Sequence, residues 1–135
     1  MKDRIAASFA RQSMMETFGA TLEDVTKGRV ILSAPILPGS RQQQGFAHAA
    51  LTFGLGDSAA GYAALSILPE DQEVVTAEIK INLIAPATGE RLIAKGRVVK
   101  PGRRLVVVTS EVFAATDATK TLVAILQGTM VPVKT

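Results

Sequence analysis

The sequence predicts an α+β fold, and three observations carry that reading. Four stretches between residues 74 and 133 read as strands in succession, separated only by short turns. A single long apolar segment, Ala47–Leu68, precedes them and is too long for a strand. Two shorter alternating runs come before it. Runs of strands with few helices favour segregated α+β architecture over alternating α/β units. The chain has 135 residues, 47% hydrophobic and 20% charged, which suits one domain over residues 1–135 with a substantial core.

Residues 1–18 place Ile5, Phe9, Met14 and Phe18 on a weakly amphipathic helix. The runs Ala20–Thr26 and Arg29–Pro35 flank Lys27-Gly28, a hairpin signal. Pro38-Gly39-Ser40 opens a polar loop through Gly45. Ala47–Leu68 reads as one helix closed by Pro69. Its glycines, Gly54, Gly56 and Gly61, each cost about 1 kcal/mol relative to Ala, which suggests that another backbone comes close. From Thr76 the chain alternates, with Ile79, Ile81 and Leu83 on one face. Arg91–Lys100, Leu105–Ala115 and Lys120–Val133 complete the strands. An antiparallel sheet wrapped around one long, small-residue central helix accounts for this order, and that architecture is the hotdog fold.

Composition narrows the chemistry. Cysteine is absent and there is one histidine, so thiolate nucleophiles, disulfides and His/Cys metal clusters are excluded and no metal is expected. A G-x-S-x-G elbow and a phosphate-binding P-loop are also missing. The net charge of +3 is dispersed along the chain and aromatics are 4%, a poor match to a nucleic-acid binder. Met1–Arg11 lacks the apolar core of a secretory signal, so a cytoplasmic protein is expected. The 22 residues Ala47–Leu68 could span a bilayer in length, but Asp57 would then lie near its midplane at about 2.5–3.5 kcal/mol, and a buried helix in a soluble protein is the better reading.

Asp57 is the one acid in the apolar helix. It either braces neighbouring groups such as Ser58 or acts as a base or nucleophile in a partly desolvated cleft. His48 either caps the helix or stands beside free N–H groups suited to an oxyanion. Nine positions separate the two, roughly 180° around the axis, so they can cooperate only from different subunits.

The segment His48-Ala49-Ala50-Leu51-Thr52-Phe53-Gly54-Leu55-Gly56-Asp57-Ser58-Ala59 resembles the H-G-G-x-x-x-x-L-A-D-[ST]-A pattern of PaaI-type (phenylacetate-degradation) hotdog thioesterases. Val75 to Pro86 is similar to the family's V-T-x-x-x-x-I-x-Y-L-x-P strand, and Gly102-Arg103 before Leu105 recurs at the expected distance. The resemblance implies an acyl-CoA thioesterase that needs no cofactor beyond the CoA of its substrate, working as a homodimer, often paired into a homotetramer, with its sites at the subunit interface. It implies Asp57 as base or nucleophile, the Ala49 N–H beside His48 as the group polarising the thioester carbonyl, and Thr76 as the hydroxyl orienting water. It also implies Gly102, Arg103 and Arg104 near the CoA phosphates. Two departures stand out. Ala49 and Ala50 replace the usual glycines, crowding the start of the helix around the acyl channel, and Gln42 stands where many relatives carry Asn near the scissile carbonyl. The alanines motivate a second reading, a non-catalytic acyl-CoA or acyl-carrier binding protein. A hotdog dehydratase is disfavoured by the opposed His48 and Asp57 and by the lack of a D-x-N-P-x-H segment.

Overall fold

In the computed structural model, which describes residues 1–135, two short helices lead into a six-stranded sheet and one central helix. The elements are α1 (Lys2–Ala10), α2 (Ser13–Phe18), β1 (Thr21–Thr26), β2 (Arg29–Pro35), a 3-10 turn (Pro38–Ser40), α3 (Ala49–Leu65), β3 (Gln72–Leu83), β4 (Arg91–Pro101), β5 (Val106–Ala115) and β6 (Lys120–Lys134). Every strand pair is antiparallel, in the order β1-β2-β4-β5-β6-β3, and α3 packs across one face. This is the hotdog arrangement expected from the sequence. No helix is long and apolar enough to cross a membrane.

The central helix is shorter than the apolar segment that encodes it. Ala47 and His48 point their N–H groups away from a helix, to Ala87 O at 3.0 Å and Ser40 O at 2.9 Å. His48, extended at φ −63° and ψ 144°, is instead the N-cap, and its Nδ1 accepts from Ala50 N–H at 2.8 Å. At the other end the Ser66 hydroxyl donates to Ala63 O and accepts from Gly28 N–H, both at 2.7 Å, and tighter turns follow before Pro69. Leu51, Leu55, Ala59, Ala63 and Leu65 face the sheet core with Val30, Leu32, Leu92, Ala94, Val112, Ala124 and Leu126. Each fully buried leucine contributes about 1.5–3 kcal/mol of transfer free energy.

Close backbone approach does occur, but not at the helix glycines. A Cβ on Gly54 would meet the Phe18 ring at 2.9 Å, and one on Gly56 would meet Leu126 at 2.9 Å, so side chains fill those notches. One on Gly61 would meet only Met130 Cε, at 3.9 Å. The backbone contact belongs to Gly96 of β4, where a Cβ would lie 2.3 Å from the Ala59 carbonyl of α3.

The single N-terminal helix read from the sequence is two, broken around Arg11–Gln12. The pair is docked by buried Ile5 and Met15 and by the Arg4 guanidinium, which donates to the carbonyls of Leu68 (3.1 Å), Pro69 (3.0 Å) and Gln72. In β3 a bulge between Thr76 and Glu78 interrupts the alternation. Thr76 pairs with Met130 and Ile79 with Gly128, so Thr76 shares the helix-facing side with Ile79, Ile81 and Leu83.

Candidate active site

Asp57 sits half-buried in the middle of α3. Its Oδ1 accepts from the Thr76 hydroxyl at 2.8 Å, while Oδ2 has no partner in the chain, and the residue lines a cleft. Burial pushes the Asp57 carboxyl above the usual carboxylate range, and the Thr76 hydrogen bond offsets part of that rise. A carboxylate raised in this way is a better proton acceptor than a free one. Thr76 reaches it because the β3 bulge turns that side chain toward the helix.

The cleft, of about 280 Å³, runs between α3, β3 and the N-terminal helices, and also holds Ser8, Gln12, Ser58, Gly61, Tyr62, Leu65, Glu73, Val74 and Met130. Tyr62 accepts from Gln12 Nε2 at 2.8 Å, and its hydroxyl lies 3.2 Å from Ser8 Oγ. Tyr62, Gln12 and Ser8 were not singled out by sequence reasoning. The available signal was that Tyr62 is the chain's only tyrosine and stands in a helix of small residues.

The remaining candidates lie elsewhere. Ala49 is the first residue of α3, exposed, and its N–H has no acceptor within the chain. Ala50 spends its N–H on His48, and both alanine methyl groups lie at the surface rather than crowding the chain's interior. Gln42 and Ala49 line a second cleft of about 460 Å³ with Phe46, Thr52, Leu83, Ile84 and Val123. There the Gln42 Oε1 is occupied by Gln44 N–H (2.5 Å) and Phe46 N–H (3.2 Å), and its Nε2 donates to Gln44 Oε1 (3.0 Å), so this amide braces its own loop.

Eight residues of helix separate Ala49 from Asp57, about 12 Å along the axis. One chain therefore carries two half-sites, an amide with Gln42 and His48 at one end and a carboxylate with Thr76 at the other. Gly102, Arg103 and Arg104 form the β4–β5 turn at the carboxylate end, because Val106 pairs with Met130 and Met130 pairs with Thr76. Both arginines are exposed and neither makes an ion pair, and the tight turn requires glycine because a Gly102 Cβ would lie 2.2 Å from Leu105 O. No cluster of three or more His, Cys, Asp or Glu side chains suited to a metal is present.

The chain belongs to the thioesterase superfamily, whose sequence pattern it matches over residues 44–121. It is 39% identical to a thioesterase family protein from Silicibacter pomeroyi, with a TM-score of 0.97 over 99% of this chain and 98% of that one. A conserved protein from Pseudomonas aeruginosa is 30% identical, with a TM-score of 0.82 over 90% of this chain and 94% of that one. The E. coli PaaI protein from the phenylacetic acid degradation operon shares the fold at 18% identity, with a TM-score of 0.85 over 95% of this chain and 89% of its own. No curated protein matches the sequence.

Proposed function

We propose that the chain hydrolyses acyl-CoA thioesters at a site completed by two subunits. The observation that carries this is the division of the candidate residues between two clefts about 12 Å apart on one helix, too far for one thioester carbonyl to meet both. The edge strand β3 supports a way to join them. It is 12 residues long, its outer hydrogen-bonding edge is unpaired, and Val75, Leu83 and Ile84 are exposed at its ends, a combination that favours pairing with another strand. Antiparallel pairing of two such strands centred between Ile79 and Lys80, two residues past the middle of β3, brings Thr76 of one copy opposite Leu83 of the partner subunit. The Asp57 cleft of each then adjoins the Ala49 cleft of the other, and two equivalent sites form.

In this reading the Ala49 N–H, at the positive end of α3, holds the thioester oxygen as negative charge develops. Asp57 of the other subunit takes a proton from the water that attacks the carbonyl, or attacks the carbonyl itself to give an anhydride that water then cleaves, with Thr76 fixing the carboxylate. CoA thiolate departs without a strong general acid. Arg103 and Arg104 meet the CoA phosphates. His48 holds the cap geometry that keeps the Ala49 amide pointing outward.

Two inactivating variants and their mixture test this. Asp57→Asn removes the carboxylate and is expected to lower turnover at least tenfold, worth about 1.4 kcal/mol. Ala49→Pro deletes only the N–H. Proline is favoured at the first helical position, and His48 already has the extended backbone proline requires of its predecessor. Each variant alone is expected to be nearly inactive. Co-refolding the two gives mixed dimers with one intact site in two, so about a quarter of wild-type activity returns. A mixture as inactive as its parts would show that the site lies within one chain. Tight acyl-CoA binding by calorimetry with no turnover over a broad acyl panel would favour the binding-protein reading motivated by Ala49 and Ala50.

A further inference from the structure

Helix α3 carries one glycine that packing does not require. Gly54 and Gly56 are filled by Phe18 and by Leu126 with Val112, whereas a methyl on Gly61 would touch only Met130 Cε at an ordinary 3.9 Å. Gly61 lies one turn beyond Asp57 on the same face, and Leu65 lies one turn beyond Gly61. The missing side chain leaves a gap in that row, and the gap opens into the cleft of about 280 Å³ that contains Asp57. A helical glycine that could accept a methyl without strain forgoes stability, since alanine is the better helix former.

We infer that Gly61 is a specificity-determining residue: it keeps open the channel that receives the acyl group, and it sets the size of acyl group the enzyme accepts. The inference rests on the proposed thioester hydrolysis at Asp57 and adds the substrate class to it. The channel starts at the Asp57 carboxylate, passes over Gly61 and ends against Leu65, which is 2% exposed, about 12 Å along the helix from Asp57. Val74 and Met130 wall it on the sheet side, and Tyr62, held by Gln12 and Ser8, walls it on the other. Its volume is at the small end for ligand sites. The substrates are therefore short acyl groups, the only ones the cleft can hold whole.

The test uses the full-length protein and its Gly61→Ala and Gly61→Val variants, assayed with acetyl-, hexanoyl- and palmitoyl-CoA. Non-hydrolysable thioether analogues of the same three acyl lengths are titrated by calorimetry. Wild type is expected to accept acetyl and hexanoyl groups and to reject palmitoyl. Gly61→Ala should lower the hexanoyl-to-acetyl ratio of kcat/KM about tenfold and Gly61→Val further, with the analogue affinities falling in the same order. Gly61→Ala should at the same time raise the thermal midpoint by about 3 °C, a gain that a structural glycine would not give. Size-dependent analogue binding without turnover would overturn the hydrolysis reading while supporting the role of Gly61. Ratios and affinities that stay within twofold of wild type in both variants, a loss of stability in Gly61→Ala, binding of the palmitoyl analogue, or no analogue binding at all would each overturn it.

Discussion

Substituting Gly96 by alanine perturbs a close backbone contact between the sheet and the central helix. The added Cβ would lie 2.3 Å from the carbonyl carbon and oxygen of Ala59 and 2.5 Å from Ala60 N, all backbone atoms that cannot rotate aside. Restoring an ordinary contact near 3.4 Å moves α3 away from β4 by about 1 Å. Overpacking of this kind costs about 1–3 kcal/mol, and the gain in chain stiffness from replacing glycine returns at most about 1 kcal/mol. Urea unfolding at fixed protein concentration, which holds any subunit association constant, should show a net loss of about 1–2 kcal/mol, equivalent to a fall of several degrees in thermal midpoint. The displaced segment is two residues from Asp57, so the carboxylate moves relative to Thr76 on β3, from which it receives a 2.8 Å hydrogen bond. A misplacement near 1 Å can cost about a hundredfold in rate. Turnover should therefore fall by more than the loss of folded protein explains. A variant within 0.5 kcal/mol (about the scatter of neutral surface changes) and with undiminished turnover would refute the idea that Gly96 sets the height of α3 above the sheet.

Four further outcomes follow from the site. Burial raises the Asp57 carboxyl, so the acid limb of the pH profile of kcat/KM should fall above the usual carboxylate range and vanish in Asp57→Asn. Because the folded-state value is the higher one, Asp57 favours the fold most below the unfolded carboxylate value and loses that contribution as pH rises through the folded one. Asp57→Asn should thus be at least as stable as wild type at neutral pH, checked by thermal melts across pH. Thr76→Val removes the one hydrogen bond that lowers the Asp57 value, so the acid limb should move to higher pH while turnover drops about tenfold. Arg103→Ala with Arg104→Ala should raise KM for CoA thioesters about tenfold with kcat within twofold, and leave both constants unchanged for thioesters of a short thiol lacking phosphates.

The succession of strands and the single long helix were legible from alternation and length, because β2, β4 and β5 bury alternate residues and the long helix is apolar all round. Helix ends were less so. Ala47 and Leu68 are as apolar as the helix itself, and only their hydrogen bonds to Ala87 and within the closing turn set them outside it. Strict alternation from Thr76 would put that residue opposite Ile79, on the face with Lys80. The bulge reverses this, and its sequence trace is Gly128, where a Cβ would lie 2.4 Å from the Glu78 carbonyl that the bulge pushes inward. The 180° offset of His48 and Asp57 assumed that both lie in the helix, but His48 is its extended N-cap, so only the mid-helix position of Asp57 followed from the sequence. The separate cleft holding Gln42 and Ala49 did not, because it depends on loops brought together only by the sheet. Gln12 and Ser8 were equally hidden, since their partner Tyr62 lies 50 or more residues away.

The attachment of the first two helices has a consequence for how the protein breathes. The Arg4 guanidinium reaches three carbonyls of the α3–β3 connection, yet α1 and α2 contribute no strand to the sheet and lie outside the stretch that matches the superfamily. Opening the wall they form on the Asp57 cleft means releasing Arg4, buried Ile5 and Met15, and the Ser8 and Gln12 bonds to Tyr62, while the strand ladder and the backbone bonds of α3 stay intact. Opening of this wall and unfolding of the body are thus separate events with separate energies. Amide exchange in residues 2–18 should run on its own clock, faster than that of the strands beneath.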